Sequence, residues 1–262
     1  MMKQRQFGNT GIFVSPLGLG TVKLGRDKGV KYPERFTIPD DKSAGHLIAL
    51  AKDMGINLID TAPAYGNSEE RLGTLLKGQR QDWVICSKVG EEYSDGRSSF
   101  DFSAKHTRFS IERSLQRLKT DMIDIVLVHS NGDDLDIINH EEVLAELDRC
   151  KQQGLIRSFG VSTKTVEGGL CAAEKTDAVM ATFNFDYRDE QAVIDFCGKH
   201  QKGLLIKKAF ASGHLCQQSK DPVQASMDFI FSHQGVSSVI VGTINPQHLQ
   251  ENVAAVEKSL AE

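Results

Sequence analysis

Short apolar runs, each closed by a polar or ionisable residue, alternate along this chain with stretches whose apolar positions fall at helical spacing. Asn57-Leu58-Ile59 reads as a short buried strand with Asp60 at its carboxyl end, and Ala62-Pro63 breaks its continuation before Tyr65. Upstream, Gly8-Asn9-Thr10-Gly11 predicts a hairpin turn between two short strand-like pieces, and residues 17–20 the first strand of the main sheet. A long polar loop is expected over residues 23–40. In residues 41–54, Ala44, Leu47, Ile48 and Ala51 recur at helical spacing, and Gly55 closes the helix.

The alternation continues to the end. Residues 68–76 predict a helix with Ser68 as N-cap and Glu69-Glu70 complementing its dipole. Residues 83–87 predict a strand ending at Lys88, followed by a Gly- and Ser-containing loop and a helix over about 103–118. A strand over 123–128 ends at His129, residues 133–136 are expected as loop, and a helix over 141–153 stops at Gly154. Strands over 157–161, 178–183, 204–206 and 239–241 follow; Ser162, Lys207 and Gly242 close the first, third and fourth of them. Helices are expected over 191–200, over 222–232, where proline opens the first turn, and over about 245–260. Eight strand–helix units in 262 residues predict an α/β fold, a (β/α)8 TIM barrel spanning 1–262 as one domain. An open doubly wound sheet is the alternative, and no GxGxxG follows any strand to favour it.

Composition narrows the partners. A net charge of -4 with both signs mixed suggests neither nucleic acid nor an anionic membrane surface. Five widely spaced cysteines without a CxxC pair fit a reduced, cytoplasmic chain without a disulfide framework, and no metal site is expected. The polar amino terminus lacks a signal core, and no run approaches about twenty apolar residues, so a soluble protein is expected.

The residues just past the strands are Thr21, Asp60, Lys88, His129, Ser162, Lys207 and Gly242, and the carboxyl-end rim is where barrels keep their chemistry. Singly, each reads as a solvated loop charge or a packed histidine. Three titratable groups closing three consecutive strands, with Tyr65 beside the first, carry more. A phenol with a pKa of about 10 is a poor acid at neutral pH, and a nearby Lys88 ammonium would lower that pKa while Asp60 holds the lysine charged. His129 can then donate to a substrate carbonyl, and the set suits acid catalysis at a carbonyl receiving a hydride.

At Asp60-Thr61-Ala62-Pro63-Ala64-Tyr65-Gly66, Lys88 and Leu127-Val128-His129-Ser130, the chain resembles the aldo-keto reductase superfamily over nearly its whole length. The run from Gly154 to Ser162, the run from Val241 through Asn252 and the amino-terminal hairpin, similar to the family's β-hairpin cap, extend the resemblance. It implies a monomer-sized barrel that binds NADP(H), or NAD(H), along its rim and reduces small-molecule aldehydes or ketones. By the same resemblance Tyr65 is the general acid, Lys88 its pKa modifier, Asp60 the partner of the lysine and His129 the carbonyl orienter. Ser162 would bond the nicotinamide carboxamide, with Gly20, Thr21 and Val22 near the ring and Met180, Lys207, Phe210 and Ser212 on the cofactor side. Gly242, Thr243, His248, Glu251 and Asn252 would surround the adenosine end, with the last helix's amino terminus placed for phosphate.

Several positions depart from the family pattern. Thr163 stands where asparagine is common, Met180 where glutamine is, and Lys207 where an aromatic residue often stacks on nicotinamide. Gly242 and His248 replace a lysine and an arginine that often grip a 2'-phosphate, which leaves the choice between NADP(H) and NAD(H) open. Tyr32, Phe36, Tyr93, Phe100 and Phe102 are candidate pocket walls, and the chain ends soon after Asn252, which implies an open site with broad aldehyde tolerance. Two other functions stay open: a barrel that binds cofactor and reports redox state without turnover, and a Schiff-base lyase using Lys88, Lys207 or Lys208.

Overall fold

In a computed structural model describing residues 2–30, 32, 35–211 and 221–261, the chain opens with β1 (Arg5–Gln6) and β2 (Phe13–Val14), paired antiparallel. Next come β3 (Leu17–Gly20), α1 (Val22–Gly25), α2 (Asp41–Asp53), β4 (Leu58–Asp60), α3 (Ser68–Leu75) and β5 (Val84–Val89). A second hairpin, β6 (Glu91–Ser94) with β7 (Arg97–Phe100), precedes α4 (Ala104–Leu118), β8 (Ile123–His129), α5 (Asp134–Asn139) and α6 (Val143–Gln152). The chain finishes with β9 (Ile156–Ser162), α7 (Val166–Lys175), β10 (Ala178–Thr182), α8 (Gln191–Lys199), β11 (Gly203–Lys207), α9 (Pro222–Phe231), β12 (Ser238–Val241) and α10 (Pro246–Ser259).

Strands β3, β4, β5, β8, β9, β10, β11 and β12 pair in parallel in that order, and β12 returns to β3 with Val239 opposite Leu17. Closure makes this a (β/α)8 barrel and rules out the open doubly wound sheet. Side chains alternate across each strand: Leu58, Cys86, Ile125, Leu127 and Leu205 fill the interior, while Ile59, Ile85, Val126, Val128 and Ile206 face the helices. Both faces are buried, so the strands read as continuous apolar runs rather than alternating ones. Each such aliphatic side chain contributes about 1.5–3 kcal/mol on burial.

The β1–β2 hairpin closes the amino-terminal end of the barrel. Phe7 is fully buried and packs with Ile12, Val14 and the interior residues. A Cβ at Gly203 would come within 2.5 Å of Phe7 Cζ, so the missing side chain there makes room for the ring. The expected cap is therefore a plug for the barrel floor.

Three local expectations are corrected. The expected loop over 23–40 begins inside a short helix, α1; the acidic segment expected as loop at 133–136 forms α5; and the loop after β5 is the β6–β7 hairpin. In α5 the Asp134 carboxylate accepts from Lys164 N, Thr165 N and Thr165 Oγ1, which anchors the segment to the start of α7. Ser68 also departs from its expected role. Asn67 precedes α3 without a side-chain cap, and Ser68 Oγ donates to Thr21 Oγ1 at 2.8 Å while accepting from Thr61 Oγ1 at 3.1 Å. That hydroxyl cluster ties the tops of β3 and β4 to α3.

Candidate active site

The rim residues are positioned by strand register. Asp60 on β4 lies opposite Cys86 on β5, so Lys88, two residues further along the same face, reaches back over it. Lys88 Nζ donates to Asp60 Oδ1 at 2.6 Å and to Thr61 O at 2.9 Å. Both side chains are almost completely buried, 2% and 5% exposed, so the pair is held out of water. Burial alone would pull the ammonium pKa down, but Asp60, Tyr65 and Cys86 together raise it above the usual lysine value. Lys88 is therefore charged throughout the physiological range.

Tyr65 follows the Ala62-Pro63 break, and Lys88 Nζ sits 4.8 Å from its ring centroid. Lys88 lowers the phenol pKa as expected, but burial is the larger effect, and the net shift is upward. In the free protein Tyr65 thus keeps its proton. His129 faces it from the end of β8, ring centroids 6.3 Å apart and planes near perpendicular at 87°. Asp60, Tyr65, Lys88 and His129, the catalytic candidates expected from sequence, are thereby brought together on three neighbouring strands and one turn.

Glu91, which sequence reasoning did not single out, joins them. Its Oε2 lies 2.7 Å from His129 Nδ1, a close charge contact off the N–H axis, since that nitrogen has no aligned hydrogen bond. Ser98 Oγ, across the hairpin, donates to Glu91 Oε1 at 2.5 Å. Burial pushes the Glu91 carboxyl up, but His129, Ser98 and Arg26 outweigh it and hold it down at about 2. Burial, with Lys88 and Lys207, lowers the His129 pKa against the pull of Glu91.

Glu91 carries a stability consequence. Its folded pKa of about 2 lies below the unfolded value of 4.5, so its contribution is complete above pH 4.5 and is lost as pH falls toward 2. After discounting for solvent screening, Glu91→Gln should cost about 2 kcal/mol at pH 6 and almost nothing near pH 2. Urea denaturation at both values measures this, and a cost independent of pH would assign the effect to lost packing.

Around the mouth, Ser162 closes β9 opposite His129. Lys207 reaches from β11 past β10 to donate to Ser162 Oγ at 2.9 Å and Thr163 O at 2.6 Å. Thr163 Oγ1 is buried with no protein partner, and Ser162, which accepts from Lys207, keeps its own hydroxyl proton to donate. At the tops of β3 and β12, a Cβ on Gly20 would come 3.4 Å from Gly242, and one on Gly242 would meet Tyr32 Oη at 3.0 Å. Burial, then Asp60, pushes the Tyr32 phenol up to about 12. A donor hydroxyl at Ser162 beside the orphaned one of Thr163 fits the amide of a nicotinamide.

The other expected cofactor residues divide. Thr21 Oγ1 donates to Asp60 O at 2.9 Å, which fixes the turn holding Val22. Met180 points into the barrel interior, and Phe210 is partly buried against the outer core. Thr243 accepts from Asn245 N, shaping the entry to α10; Asn252 is buried, while His248 and Glu251 on the same helix are exposed. Ser212, like His214, lies outside the described residues.

Among the expected pocket walls, Tyr32 reaches the site and packs edge-on to Phe36, with Lys23 Nζ 4.0 Å from the Tyr32 ring centroid. The Arg26 guanidinium stacks 3.4 Å from the Tyr93 ring centroid and donates to Ala64 O. Tyr93 therefore ties the β6–β7 hairpin to the loop after α1. Phe102 is buried beneath Gly90, and Phe100 is exposed.

Residues 16–222 match the model of the Aldo/keto reductase family. A crystal structure from Pseudomonas aeruginosa assigned to the aldo-keto reductases is 57% identical, with a TM-score of 0.90, covering 98% of this chain and 95% of that one. The oxidoreductase YqkF of Bacillus subtilis is 25% identical over 97% of this chain and 91% of its own. The L-galactose dehydrogenase of Arabidopsis thaliana is 26% identical over 96% of this chain and 87% of its own. Among the described residues, no helix is long and apolar enough to cross a membrane. Barrel, rim and family match converge: the chain belongs to the aldo/keto reductase family and is an NAD(P)H-dependent, carbonyl-reducing oxidoreductase.

Proposed function

We propose that this protein reduces aldehydes and ketones with NADPH, using Tyr65 as general acid, Lys88 and Asp60 as its support and His129 to orient the carbonyl. The observation that carries this is the buried Lys88–Asp60 pair lying against the Tyr65 ring. A phenol that keeps its proton until needed is a donor rather than a leak. As the carbonyl oxygen becomes alkoxide-like, Tyr65 gives up that proton, and the fixed ammonium of Lys88 stabilises the phenolate left behind. His129 would donate from Nε2 toward the same oxygen, and the Glu91 carboxylate at Nδ1 opposes the loss of imidazolium charge that burial favours.

The bound reduced nicotinamide would supply the hydride. Ser162 and Thr163 would hold its carboxamide, Gly20 and Gly242 would allow the ring to approach the backbone, and the start of α10 would receive phosphate. The Schiff-base alternative is poorly supported at Lys88, because an ammonium held charged by Asp60 is not a nucleophile.

Calorimetric titration with NADPH and with NADH tests the cofactor assignment; Trp83 is buried at the start of β5, away from the rim, and makes a weak optical reporter. NADPH should bind more tightly. Equal or tighter NADH binding would transfer the assignment to NAD(H), and binding of neither would remove the reductase reading. A parallel screen of simple aldehydes, bulky ketones and, because one relative is an L-galactose dehydrogenase, sugars oxidised in reverse would separate turnover from cofactor sensing. Activity confined to a single bulky ketone would contradict the expected tolerance for aldehydes.

A further inference from the structure

Lys207 is a partly buried amine with no part in the proton transfer just described, and its position suggests a role of its own. Its strand, β11, is separated from β9 by β10, yet its Nζ spans that gap to Ser162 Oγ at 2.9 Å and Thr163 O at 2.6 Å. The two hydrogen bonds fix the nitrogen over the barrel mouth. In the protonated amine they use two of three N–H donors and leave the third directed elsewhere.

We propose, resting on the reading that Ser162 holds the nicotinamide, that Lys207 sets a positive charge beside the ring position and so makes the protein favour reduced over oxidised cofactor. The chemistry is a matter of sign. The oxidised ring is a cation and the reduced ring is neutral, so a neighbouring ammonium repels one and is indifferent to the other. A group within hydrogen-bond reach of Ser162 is one further contact from whatever that hydroxyl binds. At such separations, with an effective dielectric of about 20, two unit charges change a binding ratio by about tenfold to a hundredfold. An aromatic side chain at the same place would give stacking without this discrimination. Lys207 thus favours loading of the site with reduced cofactor and release of the oxidised one.

The groups facing Lys207 define when the charge is present. Glu190, just before α8, accepts from Thr182 N through Oε1 and leaves its buried Oε2 without a hydrogen-bond partner. Asp134 on α5 and Glu190 favour the ammonium, while Lys208 beside it and Lys88 on β5 oppose it; His129 on β8 feels its charge in turn. Burial is the largest influence and draws the Lys207 pKa below the usual lysine range, as it raises that of Glu190. Lys88, shifted upward, stays charged through this range.

The test is calorimetric and needs no turnover. Dissociation constants for NADPH and NADP+ would be measured at pH 5.5, where Lys207, its pKa drawn down to about 7, carries its proton, and at pH 9.5, for the wild type, Lys207→Met and Lys207→Arg. The quantity read is the ratio of oxidised to reduced Kd, in which contacts common to both forms cancel. The wild-type ratio at pH 5.5 should exceed that of Lys207→Met by about tenfold or more. It should fall toward the Met value at pH 9.5, whereas Lys207→Arg should keep a high ratio at both. A wild-type ratio equal to that of Lys207→Met, or one unchanged between the two pH values, would overturn the proposal while leaving the reductase reading intact. If Lys207→Met does not fold, the wild-type pH series and the Arg variant decide the matter. Binding of neither form by the wild type would overturn both.

Discussion

Tyr65→Phe is expected to lower kcat by about 10²- to 10⁴-fold, the usual weight of a positioned general acid, while leaving cofactor Kd nearly unchanged. The phenyl ring keeps the contact with Lys88, whose Nζ lies 4.8 Å from the ring centroid, so only the hydroxyl is lost. Its proton is the one the alkoxide-like oxygen would receive, and no other group in the site is placed to replace it at full efficiency. His129 is the nearest candidate, but burial lowers its pKa, which reduces its protonated fraction at neutral pH. Steady-state kinetics with calorimetry on the same preparation measures both effects. Unchanged kcat would remove Tyr65 from its assigned role, whereas parallel loss of binding and turnover would indicate a structural one.

The second large effect concerns stability. Asp60→Asn should cost about 3–5 kcal/mol, because it leaves the Lys88 ammonium buried without its counter-charge. The neutral amide accepts a hydrogen bond from Nζ but cannot offset the desolvated charge, and the lysine's other acceptor, Thr61 O, is uncharged as well. Adding Lys88→Met to Asp60→Asn removes the orphaned charge and should recover most of the loss without restoring turnover. Because the Lys88 pKa is raised above 10.5, the contribution is fully present below that pH and is lost only under stronger alkali. Urea denaturation of the four proteins in the cycle gives the coupling directly. A single-mutant cost under about 1 kcal/mol would mean that the pair is solvated and worth no more than a surface ion pair.

The barrel was legible in the sequence because its strands are short apolar runs that end in polar residues, and those endings coincide with the rim. Asp60, Lys88 and His129 could be read for the same reason: each terminates a run. Glu91 could not, since it lies in a polar stretch with no apolar alternation to mark it. A local signal was nevertheless present. Asp95-Gly96 is a strong hairpin turn pair, both residues have positive φ, 51° and 82°, and recognising it would have placed Glu91 on a strand just after Lys88. The contact between Lys207 and Ser162 depends on strand order and side-chain reach across β10, which no local pattern encodes. Ser68 shows a different limit. Its sequence context is that of an N-cap, yet a bond to Thr21, 47 residues away, takes its hydroxyl. The net direction of the Tyr65 pKa shift was equally hidden, because it depends on how completely the site excludes water.

The Phe7 ring seated against Gly203 gives the barrel a floor and therefore a single mouth. Anything that exchanges with the interior, whether water, a proton or a denaturant molecule, has to enter past Tyr65 and His129 or wait for the hairpin to lift. The buried ion pair thus sits just beneath that one mouth, on a packed interior, and its isolation from bulk solvent depends on a phenylalanine at the far end of the molecule as well as on the residues around it.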